Sequence, residues 1–354
     1  MRFIQIVIIV LLLAGCWDER LYKDHTVVSL VGIEGTYGEM KSYFAYPELQ
    51  SGNSEITIIE ANGIDVRDTR LNADLKVEQA MDLSMMSTIL ISETTAKDGL
   101  NKYLNVFYRD PTNSITAFLV LVEGNVKDYM EASKSWTTEA GEYFARFIRS
   151  KEEVSIVPNR TIQTAAAILY SDGMDLVLPY MVLKDKDKKR PELGGVGLFS
   201  KGKYTGRVLK PEQSRFLGLL LQERGRKIKY STLYNERPLS FTILDVNRKW
   251  KFESPNTMKM DYELEVELEE FSDVGLRDVN KISELENFIN KKITDEVNEV
   301  IEILQDEKCD ALGLGNFLRV KNPQMFDDNW HETFANLEIQ VDIKSEILKT
   351  GLIH

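Results

Sequence analysis

From Tyr262 to Glu269 the chain alternates between apolar and acidic residues: Tyr262, Leu264, Val266 and Leu268 against Glu263, Glu265, Glu267 and Glu269. Successive side chains of a strand point to opposite faces, so a period of two fits a strand with one dry face and one wet face and misfits a helix. Upstream, Trp250 and Phe252 alternate with Lys249 and Lys251, and Ser254-Pro255-Asn256-Thr257 between the two runs is a turn signal. An antiparallel pair places these lysines near the glutamates and relieves repulsion along the acidic row. Near the C-terminus Leu337, Ile339, Val341 and Ile343 alternate with Glu338, Gln340, Asp342 and Lys344. Before that third run, Ser283 to Asp306 carries Leu285, Phe288, Ile289, Ile293, Val297, Val300, Ile301 and Leu304 at three- and four-residue steps, the pattern of an amphipathic helix. A sheet with one dry face must be covered, and this helix is the cover. The C-terminal part therefore reads as an antiparallel sheet covered by a long helix.

The rest of the chain mixes both periods. Strands are expected at 27–33, 40–46, 87–91, 114–122, 177–183, 196–199 and 204–208. Helices are expected at 68–81, with Leu71, Leu75 and Met81 sharing a face, and at 96–107, 139–148, 161–169 and 211–222. The fold class is α+β, multi-domain, with mixed sheets packed by helices. A length of 354 residues suits two or three domains. The charged run from Lys184 to Arg190, closed by Pro191, reads by default as a solvated hairpin tip, since a strand precedes and follows it. It also marks the expected division into an N-terminal α/β region at 27–190, with room for two subdomains, and a C-terminal α+β domain at 191–354.

The N-terminus carries its own instruction. Arg2 and the initiator amine precede nine consecutive apolar residues, Ile6 to Ala14. That stretch has the length of a signal-peptide core and is too short to span a bilayer. Leu13-Ala14-Gly15-Cys16 resembles the lipobox of bacterial lipoproteins, in which the cysteine thiol takes a diacylglyceryl group before cleavage. Two acyl chains give stable membrane attachment where one is marginal. Residues 1–15 are thus expected to be a lipoprotein signal peptide, Cys16 the lipidated residue, and 16–26 a polar tether. Cys309 is then left without a partner for an intrachain disulfide. Of its two readings, a reactive thiol and a small buried hydrophobe, the second is preferred.

Composition narrows the chemistry. A net charge of −12 argues against a nucleic-acid partner, which needs a basic face. Two cysteines and three histidines leave no disulfide scaffold and no multi-ligand zinc site. His25 lies in the tether, His331 follows Trp330, and His354 ends the chain. No nucleophile elbow, zinc-protease motif or Walker A sequence is present. Gly194-Gly195-Val196-Gly197 leads into a strand, not a helix, and so is no dinucleotide fingerprint. Gly313-Leu314-Gly315 reads as the stop of the preceding helix. The glutamates of one strand face point in parallel and do not wrap an ion. Asp327-Asp328 reads as a loop or helix start. No catalytic, cofactor-binding or metal-binding residue is assigned, and the chain reads as a non-enzyme.

Four stretches together resemble the C subunits of bacterial spore germinant receptors, the Ger(x)C lipoprotein family. They are Cys16-Trp17-Asp18-x-Arg20; Phe107-Tyr108-Arg109-Asp110-Pro111 with Thr116-Ala117-Phe118 and Gly124-Asn125-Val126-Lys127-Asp128; Gly195-Val196-Gly197-Leu198-Phe199 with Lys201-Gly202-Lys203 and Gly206; and Cys309-Asp310-Ala311-Leu312-Gly313-Leu314-Gly315 with Gly351 ending the last strand. The resemblance implies three mixed domains tethered to the outer face of the spore inner membrane. It implies work beside an A-type and a B-type integral membrane subunit in a receptor that responds to nutrients and starts germination. It carries over one functional residue, Cys16, and no catalytic group or cofactor. The rival readings are a solute-binding lipoprotein of a transporter, which needs two lobes around a hinged cleft, and a membrane-tethered hydrolase, which needs convergent carboxylates or a nucleophile in a pocket.

Overall fold

The computed structural model describes residues 25–50, 53–135, 137–183, 190–222, 227–271, 279–327 and 329–349. The signal peptide, Cys16, most of the tether, the charged run 184–189, Asp328 and His354 lie outside the described residues.

The described strands form three sheets. The largest has eight strands, built from β2 (Leu30–Thr36), β3 (Glu39–Gln50), β4 (Asn53–Gly63), β6 (Thr88–Ser92), β7 (Phe118–Val122), β8 (Val177–Val182), β9 (Glu192–Ser200) and β10 (Lys203–Leu209). Their order is β10-β9-β8-β7-β6-β2-β3-β4. The central pairs β2–β6, β6–β7 and β7–β8 are parallel, and the flanking pairs are antiparallel. Parallel neighbours require crossovers, and the helices that make them cover both faces. On one face lie α1 (Val66–Asp74), α2 (Glu93–Asp98), α3 (Asn101–Arg109) and α6 (Ile162–Leu169). On the other lie α4 (Val126–Ser133) and α5 (Ala140–Glu152). Burial on both faces explains why β7 reads Phe-Leu-Val-Leu-Val without alternation: Phe118, Val120 and Val122 join one core, and Leu119 and Leu121 the other. A small parallel pair, β1 (Thr26–Val27) with β5 (Met81–Asp82), sits where the described chain begins.

The second large sheet has four strands, β11 (Ile228–Tyr234), β12 (Arg237–Ser254), β13 (Thr257–Phe271) and β14 (Glu338–Lys349), in sequence order. The first three pair antiparallel, and β12 meets β13 across the expected turn. β14 joins β13 in parallel, because α8 (Val279–Asp306) carries the chain back to the starting end before β14 begins. The dry face follows the alternation: Met258, Met260, Tyr262, Leu264, Val266 and Leu268 are buried. On α8, Leu285, Ile289, Ile293, Val297, Val300 and Leu304 are buried against it. Lys249 reaches Glu263 at 3.5 Å and Lys229 reaches Glu269 at 3.0 Å, but Lys251 stands opposite Lys259. At exposed positions such pairs contribute about 0–1 kcal/mol each.

α7 (Pro211–Leu221) lies between the two sheets. Phe216, Leu217, Leu219 and Leu220 are buried and join the α4/α5 side of the first sheet to the α8 side of the second in one continuous core. β8 and β9 pair across residues 183–191, so β9 and β10 continue the first sheet beyond position 190.

Several expectations change. The helix expected at 68–81 is shorter and turned: Val66, Thr69 and Ala73 face inward, while Leu71 and Leu75 are exposed. The single helix expected at 96–107 is two, broken at Gly99, whose φ of +110° leaves the helical region. β4, β5, α4 and β11 have no counterpart among the expected elements.

Candidate functional site

Loops at one end of the first sheet meet the segments that follow α8 at a buried polar cluster built from four segments. The first is the loop after α6, holding Ser171, Gly173 and Asp175 ahead of β8. The second is the β9–β10 turn at Lys201. The third is the segment Cys309–Gly315, and the fourth is α10 (Trp330–Ala335).

The local sequence explains the third segment. α8 ends at Asp306, and Lys308 at φ +51° turns the chain away from it. Asp310, fully buried, then folds its carboxylate over the start of α9 (Leu314–Lys321). Oδ1 accepts from Leu314 N at 3.0 Å, and Oδ2 accepts from Gly315 N at 2.8 Å. A helix start offers unpaired N–H groups and a partial positive charge, so a carboxylate is the fitting partner there. Gly313, at φ +72°, is the residue just before α9. The Gly313-Leu314-Gly315 run, expected to stop a helix, therefore opens one, because the long helix has already ended seven residues earlier.

Trp330 closes the cluster from above. Its indole Nε1 donates to Asp310 Oδ2 at 2.8 Å, and its ring packs on Phe326 and Phe334. Asp175, 3% exposed, bridges to the first sheet: Oδ1 accepts from Lys201 N at 2.8 Å and Oδ2 accepts from Asp310 N at 2.9 Å. The backbones also exchange a bond, Asp175 N to Asp310 O at 2.8 Å. His331 Nε2 lies 3.1 Å from Asp175 Oδ1 and 3.0 Å from Oδ2.

The approach is close enough to require glycine on both sides. A Cβ on Gly315 would stand 2.5 Å from Trp330 Nε1 and 2.7 Å from Gly173 Cα, and one on Gly173 would stand 2.5 Å from Asn316 N. Asn316 N donates to Gly173 O at 2.9 Å, and Ser171 Oγ bonds Asn316 Oδ1 at 2.8 Å.

Burial pushes the Asp310 carboxyl up to about 6, the Asp175 charge adding to the rise and the N–H donors of Gly315, Leu314 and Trp330 opposing it. Burial likewise pushes the Cys309 thiol well above its ordinary range. Cys309 is fully buried, as the hydrophobe reading expects. A cleft of about 470 Å³ opens over His331, with Asn101, Leu169, Met174, Lys201 and Phe326 among its walls.

Both carboxylates spend their oxygens on backbone N–H groups, the indole and the imidazole. Such a cluster ties the loop before β8 and the β9–β10 turn to the segment that follows α8. Among the described residues no three His, Cys, Asp or Glu side chains are placed to hold a metal ion, and no helix is long and apolar enough to cross a membrane. The glutamates of β13 stand on the wet face; Asp327 accepts from Asn329 N and from Thr333 Oγ1 ahead of α10. His25 is the first described residue, apart from the cluster. Sequence reasoning missed Asp175 and the roles of Asp310 and Trp330. The available signal was one carboxylate, Asp310, between Cys309 and the small, apolar run Ala311-Leu312-Gly313-Leu314-Gly315, since a charge buried there needs partners.

Two other residues of the four stretches also have structural tasks. Asp110 ends α3, accepts from Thr112 and pairs with Arg70 at 3.4 Å. Gly195, at φ +134°, lies so near β10 that a Cβ would meet Leu209 O at 1.9 Å.

Two family models match the chain in succession. "Spore germination protein N-terminal domain" covers residues 18–183, and "Spore germination B3/ GerAC like, C-terminal" covers residues 194–351. Among curated proteins of Bacillus subtilis, spore germination protein KC is 22% identical, over 97% of this chain and 94% of its own length. Spore germination protein B3 is 20% identical, over 99% and 98%. The crystal structure of the GerBC protein superposes with a TM-score of 0.58 at 18% identity, covering 90% of this chain and 96% of that one. That likeness shows a shared fold.

Proposed function

Because this chain belongs to the GerAC-like family of spore germination proteins, we propose that it is the lipid-anchored, non-catalytic C subunit of a nutrient germinant receptor. It is held on the outer face of the spore inner membrane through Cys16 and acts with an A-type and a B-type integral membrane subunit. The observation that carries this reading is the succession of the two family matches over nearly all the chain, beginning two residues after Cys16. That start agrees with a folded part that follows a lipobox. The junction cluster supports a role in presenting a rigid surface, since its carboxylates are consumed by structural bonds. A solute-binding lipoprotein needs two lobes that hinge; here one hydrophobic core runs from the first sheet through α7 into the second.

The test is co-purification from spore membranes with a tagged chain, wild type beside Cys16→Ala. The expected result is two multispanning proteins with the wild type and loss of the variant from the membrane fraction. A wild type that comes alone, or with an ATP-driven permease, overturns the receptor reading.

A further inference from the structure

Four large apolar side chains are exposed around β5: Leu71 and Leu75 on and just after α1, Met85 in the turn that follows β5, and Ile115 ahead of β7. Hydrogen bonds tie the segments that carry them to one hub. Asp74 Oδ1 accepts from Met81 N at 2.9 Å, tying the end of α1 to β5. Ser114 N donates to Leu83 O at 3.2 Å, tying the Ile115 loop to the Met85 turn. β5 is itself the partner of β1, the first described strand. A cleft of about 680 Å³ has His25 and Thr26 on one wall and Lys76 and Val77 on another, so the chain's entry stands beside the residues that directly follow Leu75, which is 85% exposed.

We propose that this patch rests on the lipid bilayer, as a second membrane contact beside the acyl chains. The inference depends on the Cys16 anchor of the preceding section. Nine residue steps separate Cys16 from His25, and at most about 3.3–3.6 Å each they reach about 30 Å. The hub around β1 and β5 is thereby held within one tether length of the membrane surface, while the rest of the molecule is free to point away. An apolar patch confined that near a bilayer gains by inserting, because burial of apolar surface and acylation add as independent membrane signals. Apolar contact is the chemistry these four exposed side chains offer.

The test uses the full lipidated protein in phosphatidylcholine vesicles with no other protein. Cys309 is buried and Cys16 carries the lipid, so an introduced surface cysteine is the one open to a fluorophore. Leu75→Cys is compared with Leu233→Cys, an equally exposed class of position on β11 of the other sheet. Lipids bearing a nitroxide on the acyl chain are expected to quench the label at 75 by at least about twofold and to leave the label at 233 unchanged, as for a side chain at the acyl boundary. Vesicle flotation is read on the same samples. Protein that floats with both labels unquenched overturns the patch and leaves the anchor standing. Protein that fails to float overturns the anchor and the patch together. A label at 75 that is unquenched in vesicles but shielded in receptor purified from spores assigns the patch to a protein partner and overturns the bilayer contact.

Discussion

The indole of Trp330 donates to the carboxylate of Asp310 at 2.8 Å across 20 residues of sequence, with both side chains buried. With Asp175 that bond ties the helix start after the long helix to the loop before β8. Asp310→Ala leaves Leu314 N, Gly315 N and the Trp330 indole without their acceptor. Each orphaned donor costs about 1–3 kcal/mol, so a loss of at least about 3 kcal/mol is expected in denaturant unfolding. A loss under 1 kcal/mol would show that water fills the acceptor's place.

The same carboxyl makes stability depend on pH in an uncommon direction. Its folded value of about 6 lies above the ordinary 3.8, so between those values the folded state holds more proton than the unfolded one. Its contribution is fully present below pH 3.8 and is lost as pH rises through 6. The gap corresponds to about 3 kcal/mol. Carboxylates held low by partners, such as Asp110 with Thr112, act in the opposite sense. The wild type is therefore compared with Asp310→Asn: its advantage over the variant is expected to shrink from pH 4 to pH 7. A constant difference would refute the buried-acid account.

Gly315→Ala and Gly173→Ala strike one contact from two sides. Each places a methyl against rigid backbone or an indole, and each is expected to cost about 1–3 kcal/mol. Because either change separates the same two segments, the double variant is expected to lose less than the sum. Full additivity in unfolding midpoints would mean that the two glycines do not share a contact.

Cys309 should be silent toward thiol reagents in the native protein. Its sulfur is buried and its ionisation is suppressed, and the thiolate is the reactive form. In a Cys16→Ser chain, alkylation followed by mass spectrometry is expected to find no adduct under native conditions and one in guanidinium. Rapid native labelling would point to local opening of the segment 309–315.

The division between what could be read and what could not follows burial. Where apolar residues keep to the dry face of an element, periodicity reveals it, and β12, β13, β14 and the long helix are legible as such; β11 has a wet face too, but Leu233 stands on it and masks the alternation. Strands buried on both faces lose the alternation, yet their uninterrupted apolar runs still expose β6, β7 and β8. β4 escaped because Ile59 breaks the period of two that Ile56 and Ile58 begin, and α4 because its buried residues include the polar-capable Tyr129 and Ser133. For α1 the composition misled: Leu71 and Leu75 are its exposed residues, while Thr69, bonded to Ser42, is buried.

By itself the sequence determined the class of the fold, the covered C-terminal sheet and the family, because strand and helix periods and short ordered motifs are local properties of the chain. Only the tertiary structure decided that β14 lies parallel to β13, that β9 and β10 complete the first sheet, and that Asp175, Asp310, Trp330 and His331 form one cluster. Those relationships join residues as much as 156 positions apart. The free energy that selects them comes from satisfying buried donors and closing the core between two sheets, and neither leaves a period in the sequence.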